Sequence, residues 1–130
     1  MIFAQVNWLA LIVGFVLSFV LGGFWYSPKM FGKGWAKGVG HDRKKMEKDK
    51  KGPMKFNLFM QALTTFVYAL LIAISINEGG YQFALLIIAS TMLFIKTNGL
   101  RGTKSMYAIR TEVGFVFVMG IIMILAQLVF

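Results

Sequence analysis

The sequence contains no cysteine, two prolines, one histidine and five acidic residues in 130. Without cysteine there is no disulfide framework, no thiol nucleophile and no thiolate metal site. The single histidine, His41, lies in the most polar stretch of the chain. Alone, it cannot assemble a metal site, and with so few acids it cannot complete a Ser-His-Asp set. Charged residues make up 15% of the chain, against about 25% in an ordinary soluble domain. Basic residues are absent from residues 1–7, so the n-region of a cleavable signal peptide is missing. The first apolar stretch is therefore expected to persist in the mature protein.

Long uncharged apolar runs stand in place of those groups. Between Trp8 and Trp25 there is no charge at all. At ~1.5 Å per residue the two rings would be about 26 Å apart in a helix, close to the hydrocarbon thickness of a bilayer. Trp8 at one edge and Trp25 with Tyr26 at the other form the expected aromatic belt. The pattern predicts an all-α integral membrane protein with four antiparallel transmembrane helices in one domain. The spans are expected at about residues 5–26, 55–77, 81–96 and 106–129. A basic cytoplasmic loop with a short interfacial helix fills residues 27–54. A turn occupies 77–80 and a basic connector 97–105.

Each span carries one feature to interpret; in the third it is the small-polar patch Ala89-Ser90-Thr91 near mid-span. In the first, Ala10, Gly14, Ser18 and Gly22 recur every four residues, a small-residue groove that lets another helix backbone come close. It could pack within the bundle, form a dimer contact or line a substrate passage. After Ser27-Pro28, Lys29, Lys33 and Lys37 repeat every fourth residue, as do Phe31 and Trp35 on another face. This pattern reads as rings at the acyl boundary and ammonium groups among headgroups. Gly32 and Gly34 weaken that helix, and Gly32-Lys33-Gly34 lacks the full spacing of a phosphate loop. In the second span Asn57, Gln61, Thr64, Thr65 and Tyr68 share a face, either as polar glue between helices or as the lining of a hydrated site. In the fourth, Arg110 and Glu112 carry the only charges. They are two residues apart and so do not face each other. Glu112 is expected to pair with a cation from elsewhere, such as Lys29, Lys96, Arg101 or Lys104. Met119 and Met123 read as gap fillers.

The net charge of +9 comes from 14 Lys and Arg. All of them lie between Lys29 and Lys55 or between Lys96 and Arg110. With four spans those regions share a side, which the positive-inside rule makes cytoplasmic. Both termini would then be extracytoplasmic, in a cell inner (plasma) membrane. The block from His41 to Pro53 reads as a solvated loop or an anionic-lipid patch. It has no interleaved aromatic residues, so nucleic acid is not an expected partner.

Val6-Asn7-Trp8-Leu9-Ala10, Gly22-Gly23-Phe24-Trp25-Tyr26-Ser27-Pro28 and Phe31-Gly32-Lys33-Gly34-Trp35 resemble the motifs of a bacterial membrane family, domain of unknown function 1761. Asn98-Gly99-Leu100-Arg101-Gly102 and the stretch from Ile109 to Gly120 resemble its last connector and span. The resemblance implies four spans and assigns no activity. A lysine-rich insertion at Asp42 to Lys51 departs from the family pattern.

Small proton-coupled multidrug exporters are similar in size and span number but use a glutamate in the first span. Here that span offers only Asn7 and Ser18. The expected function is therefore non-catalytic, with no cofactor. Helix packing would build a homo-oligomer or attach the chain to another membrane subunit, with anionic headgroups at the cytoplasmic face. The alternative is a small permease or channel lined by Gln61, Thr64, Thr65 and Tyr68. A third reading is a lipid-headgroup enzyme with Glu112 as base.

Overall fold

The computed structural model describes residues 2–27, 29–38, 54–102 and 104–130, and all its regular structure is helical. The basic block from His41 to Lys51 lies outside the described residues. A 3-10 turn at Ile2–Gln5 leads into α1, Trp8–Trp25. Then come α2 at Gly32–Gly38, α3 at Met54–Arg101 and α4 at Met106–Val129. Three of these, α1, α3 and α4, are long and apolar enough to cross a membrane.

Side-chain caps set where two of the helices start. Asn7 accepts from the Ala10 amide at 3.2 Å and opens α1, and Ser105 accepts from the Ala108 amide at 3.2 Å and opens α4. Each supplies an acceptor to an amide that the helix itself leaves unpaired. The first long helix therefore starts at Trp8, with Asn7 as its cap.

The 48 residues of α3 would be about 72 Å long if straight, more than twice the hydrocarbon thickness. The helix breaks at Gly80, which has φ 77° and ψ −175°, a conformation essentially reserved for glycine. The hydroxyl of Tyr68 donates to Thr91 Oγ1 at 3.2 Å. In a straight helix those atoms would be about 35 Å apart. The two residues stand almost equally far on either side of the break at Gly80, so the arms 54–79 and 81–101 run back along each other. The break is narrower than the expected turn, because helix continues through Asn77, Glu78 and Gly79. At this tip Asn77 donates its side-chain amide to the Gln5 carbonyl at 2.7 Å. The second arm also runs past Lys96 to Arg101. Gly99 does not end it. A Cβ there would lie 2.5 Å from Ile109 Cγ1, so the glycine lets α3 close on α4, and packing overrides its weak helix propensity.

Small residues face inward and large apolar residues face outward. Along α1, Ala10, Gly14 and Ser18 are buried, while Leu9, Ile12, Val16, Leu17, Val20 and Phe24 are exposed. A Cβ on Gly14 would meet Met123 Cα at 3.4 Å, and one on Gly120 would meet Ile88 Cδ1 at 2.5 Å. Thus α4 packs on α1 with one face and on the second arm of α3 with another. In lipid, where water does not drive helices together, close van der Waals approach of this kind does.

Candidate functional site

The four helices converge on a cleft at the end opposite the Gly80 tip. Its volume is about 450 Å3, within the usual range for small-molecule sites. Tyr26, Trp35 and Phe115 wall it, and Ile95 and Val116 add apolar surface. Its polar groups come from Glu112, Gln61 and the Tyr26 hydroxyl.

The return of the chain after α1 delivers the rings. Past Trp25 the backbone doubles back, with Phe31 N–H donating to Trp25 O at 3.1 Å and Gly32 N–H to Ser27 O at 2.9 Å. Phe31 lies 4.8 Å from Trp25 and Trp35 lies 5.1 Å from Tyr26, centroid to centroid. Phe115 of α4 meets both Trp25, at 6.3 Å, and Tyr26, at 5.5 Å.

Glycines make this approach possible. A Cβ on Gly32 would overlap the Tyr26 carbonyl oxygen. One on Gly34 would overlap the Tyr107 ring, and one on Gly38 the Ser105 hydroxyl. The Ser105 amide donates to the Gly38 carbonyl at 2.9 Å, tying the end of α2 to the cap of α4. Gly32 and Gly34, which weaken a helix by propensity, are the residues that let α2 lie down on its neighbours.

Glu112 accepts three hydrogen bonds from two donors. Lys104 Nζ stands 2.8 Å from Oε1 and 2.9 Å from Oε2, and Trp35 Nε1 donates to Oε1 at 3.1 Å. The carboxylate's partner is thus Lys104 and not Arg110, which is exposed one helical face away. Tyr26, just past the end of α1, has its phenol pushed above the ordinary range, first by burial and then by the Glu112 charge. It is therefore a neutral hydroxyl at any physiological pH.

The remaining sequence candidates separate. Ala10, Gly14 and Ser18 are buried, Gly14 lies against Met123 and Ala126 of α4, and Gly22 lies beneath Phe115. That stripe is already covered and is not an outward dimer contact. The polar residues of the second span do not form one lining. Thr65 is buried and donates to the Gln61 carbonyl at 2.8 Å, Thr64 is exposed, and Tyr68 bonds to Thr91 between the arms of α3. Among the described side chains of this set only Gln61 reaches the cleft, and the Asn57 side chain lies outside the described residues. Trp8 is 45% exposed, and Lys29, Lys33 and Lys37 are exposed. Trp25, Tyr26 and Trp35 are instead half-buried and hold protein together. Trp25 donates its indole N–H to the Thr111 carbonyl at 2.9 Å. Sequence reasoning left Phe115 and Tyr107 unremarked. The 32, 34, 38 spacing of glycines signals a closely docked helix. Among the described residues, no three His, Asp or Glu gather as a metal site would require.

A family model described as protein of unknown function (DUF1761) matches residues 9–128. The chain belongs to the DUF1761 family. Every residue that lines the cleft falls within the DUF1761 match. No curated protein and no solved structure matches this DUF1761 chain.

Proposed function

We propose that this chain is a non-catalytic inner-membrane protein that crosses the bilayer four times and works as a subunit of a membrane assembly, in the simplest case with copies of itself. The two arms of α3 each span once, so α1, the two arms and α4 supply the crossings. The described cations, from Lys29 to Lys37 and from Lys96 to Arg110, collect at the cleft end, while the Gly80 tip has only Glu78. The positive-inside rule then puts the cleft in contact with the cytoplasm and both termini outside.

One observation carries the assembly reading. Thr65, Ser75, Thr91 and Thr111, all at least half-buried, each donate to a carbonyl of their own helix. On the outer face of the second arm of α3, Ser90, Thr97 and Asn98 line a groove of about 350 Å3, and their side chains make no hydrogen bond among the described residues. Ser90 lies near mid-span. Polar groups at that depth favour contact with another helix over lipid. The test is a Ser90→Cys variant oxidised in native membranes. It should form a disulfide dimer, while Val16→Cys on the outer face of α1 should not. Absence of that dimer, together with a monomeric native mass at every concentration, would overturn the reading.

A further inference from the structure

We propose that the Tyr26–Trp35–Phe115 cleft binds an organic ammonium group, which takes the place of Lys104 at Glu112. The inference is independent of the assembly reading. The Glu112 carboxylate already holds an ammonium, Lys104 Nζ at 2.8 Å and 2.9 Å from its two oxygens. That resident cation comes from outside the cleft. Lys104 is not one of the lining residues, and its side chain is 39% exposed against 16% for Glu112. It can retreat into water without leaving a buried charge behind.

On the cleft side the walls suit a cation. Trp35 is inclined at 68° to Tyr26, and Tyr26 at 63° to Phe115. The three rings therefore form a corner and not a stack. Aromatic faces are electron-rich and attract ammonium groups, indole most strongly. Donation of the Trp35 N–H to the Glu112 carboxylate pushes electron density into that ring and strengthens the effect. A carboxylate offers about four lone-pair sites. Lys104 and Trp35 fill three, and one remains for an N–H of ethanolamine or, in choline, whose nitrogen carries no hydrogen, for the hydroxyl, even before Lys104 leaves. The Tyr26 hydroxyl and the Gln61 amide line the same cleft and have no hydrogen-bond partner among the described residues. They can take the oxygen that accompanies the nitrogen in choline or ethanolamine, whether free or as a lipid headgroup. Among the described residues no lysine or arginine lines the cleft, so an anion meets no counter-charge from them inside it.

The experiment titrates the full-length protein, in a detergent without an ammonium headgroup, with choline chloride against matched sodium chloride and reads tryptophan fluorescence. A second arm places the protein in phosphatidylglycerol nanodiscs with or without phosphatidylethanolamine and measures retained lipid by native mass spectrometry. A saturable response to choline assigns the site to a free amine, and retention of phosphatidylethanolamine alone assigns it to the headgroup. In either case Glu112→Gln should weaken binding about tenfold, and Lys104→Ala, by removing the competitor, should tighten it about tenfold. A purely structural ion pair would predict no tightening. Far-UV circular dichroism checks that each variant is folded, and Phe115→Leu, which removes one wall, serves as a second probe. No binding in either arm by folded wild type and Lys104→Ala, binding unaffected by Glu112→Gln, or capture of inorganic phosphate in place of choline would overturn the proposal.

Discussion

The indole N–H of Trp35 donates to the Glu112 carboxylate at 3.1 Å, across 77 residues of chain. That bond joins α2 to the start of α4. Lys104 holds the same carboxylate from the solvent side. Glu112 is thus the point at which α2, α4 and the connector between α3 and α4 meet.

Substitutions at Glu112 should separate its two bonds. Glu112→Gln keeps an oxygen for Trp35 and loses only a half-exposed ion pair, at a cost of ~1 kcal/mol or less. Glu112→Leu removes both acceptor and charge and should cost about 1–3 kcal/mol. Limited proteolysis should then cut between residues 29 and 38 in the leucine variant and spare the glutamine variant.

Glycine substitutions should show opposite outcomes within ten residues of chain. Gly32→Ala sets a methyl against the Tyr26 carbonyl oxygen, a backbone atom that cannot rotate away. Undocking α2 should cost about 1–3 kcal/mol. Gly23→Ala meets nothing within 4 Å and should be neutral or slightly stabilising, since alanine favours helix. Thermal melting monitored by circular dichroism in detergent compares the two.

Ser18 is 0% exposed, and its hydroxyl has no hydrogen-bond partner among the described residues. Ser18→Ala removes an unsatisfied polar atom and should raise stability by up to about 1 kcal/mol. Ser18→Leu forces α1 away from α4 and should lower it by about 1–3 kcal/mol. Equal effects of the two in the same melting assay would count against the described α1–α4 contact.

The phenol of Tyr26 is raised above its ordinary value of 10.0. Below about pH 10 folded and unfolded chains both keep this proton, and stability does not depend on it. Above that, the unfolded chain releases the proton while the folded chain retains it, so stability falls as pH rises. Between about pH 9 and about pH 11 the melting temperature of the wild type should drop further than that of Tyr26→Phe. Equal drops would mean that the phenol is not buried in the fold.

The apolar runs made the long helices legible, because twenty uncharged residues have few other uses. Gly79-Gly80 likewise marked the reversal, and the small residues of α1 marked a packing face. What escaped were contacts that depend on two distant segments at once. Gly32, Gly34 and Gly99 look like helix breakers when judged by propensity. Each sits inside a helix, where a side chain would collide with a neighbour. Trp25 and Trp35 look like belt residues because aromatic rings favour the interface, but their N–H groups find Thr111 and Glu112. The polar residues of the second span share a face by spacing. That spacing could not reveal that Thr65 would turn to its own backbone, Tyr68 to Thr91 and Gln61 to the cleft.

Accessibility of single cysteines tests the four-crossing account most directly, since the chain has none of its own and each introduced thiol is a unique target. A membrane-impermeant maleimide applied to intact cells should label Glu78→Cys at the hairpin tip. It should spare Lys33→Cys and Lys104→Cys until the membrane is opened. Labelling of Glu78→Cys and Lys33→Cys from the same side would contradict the account.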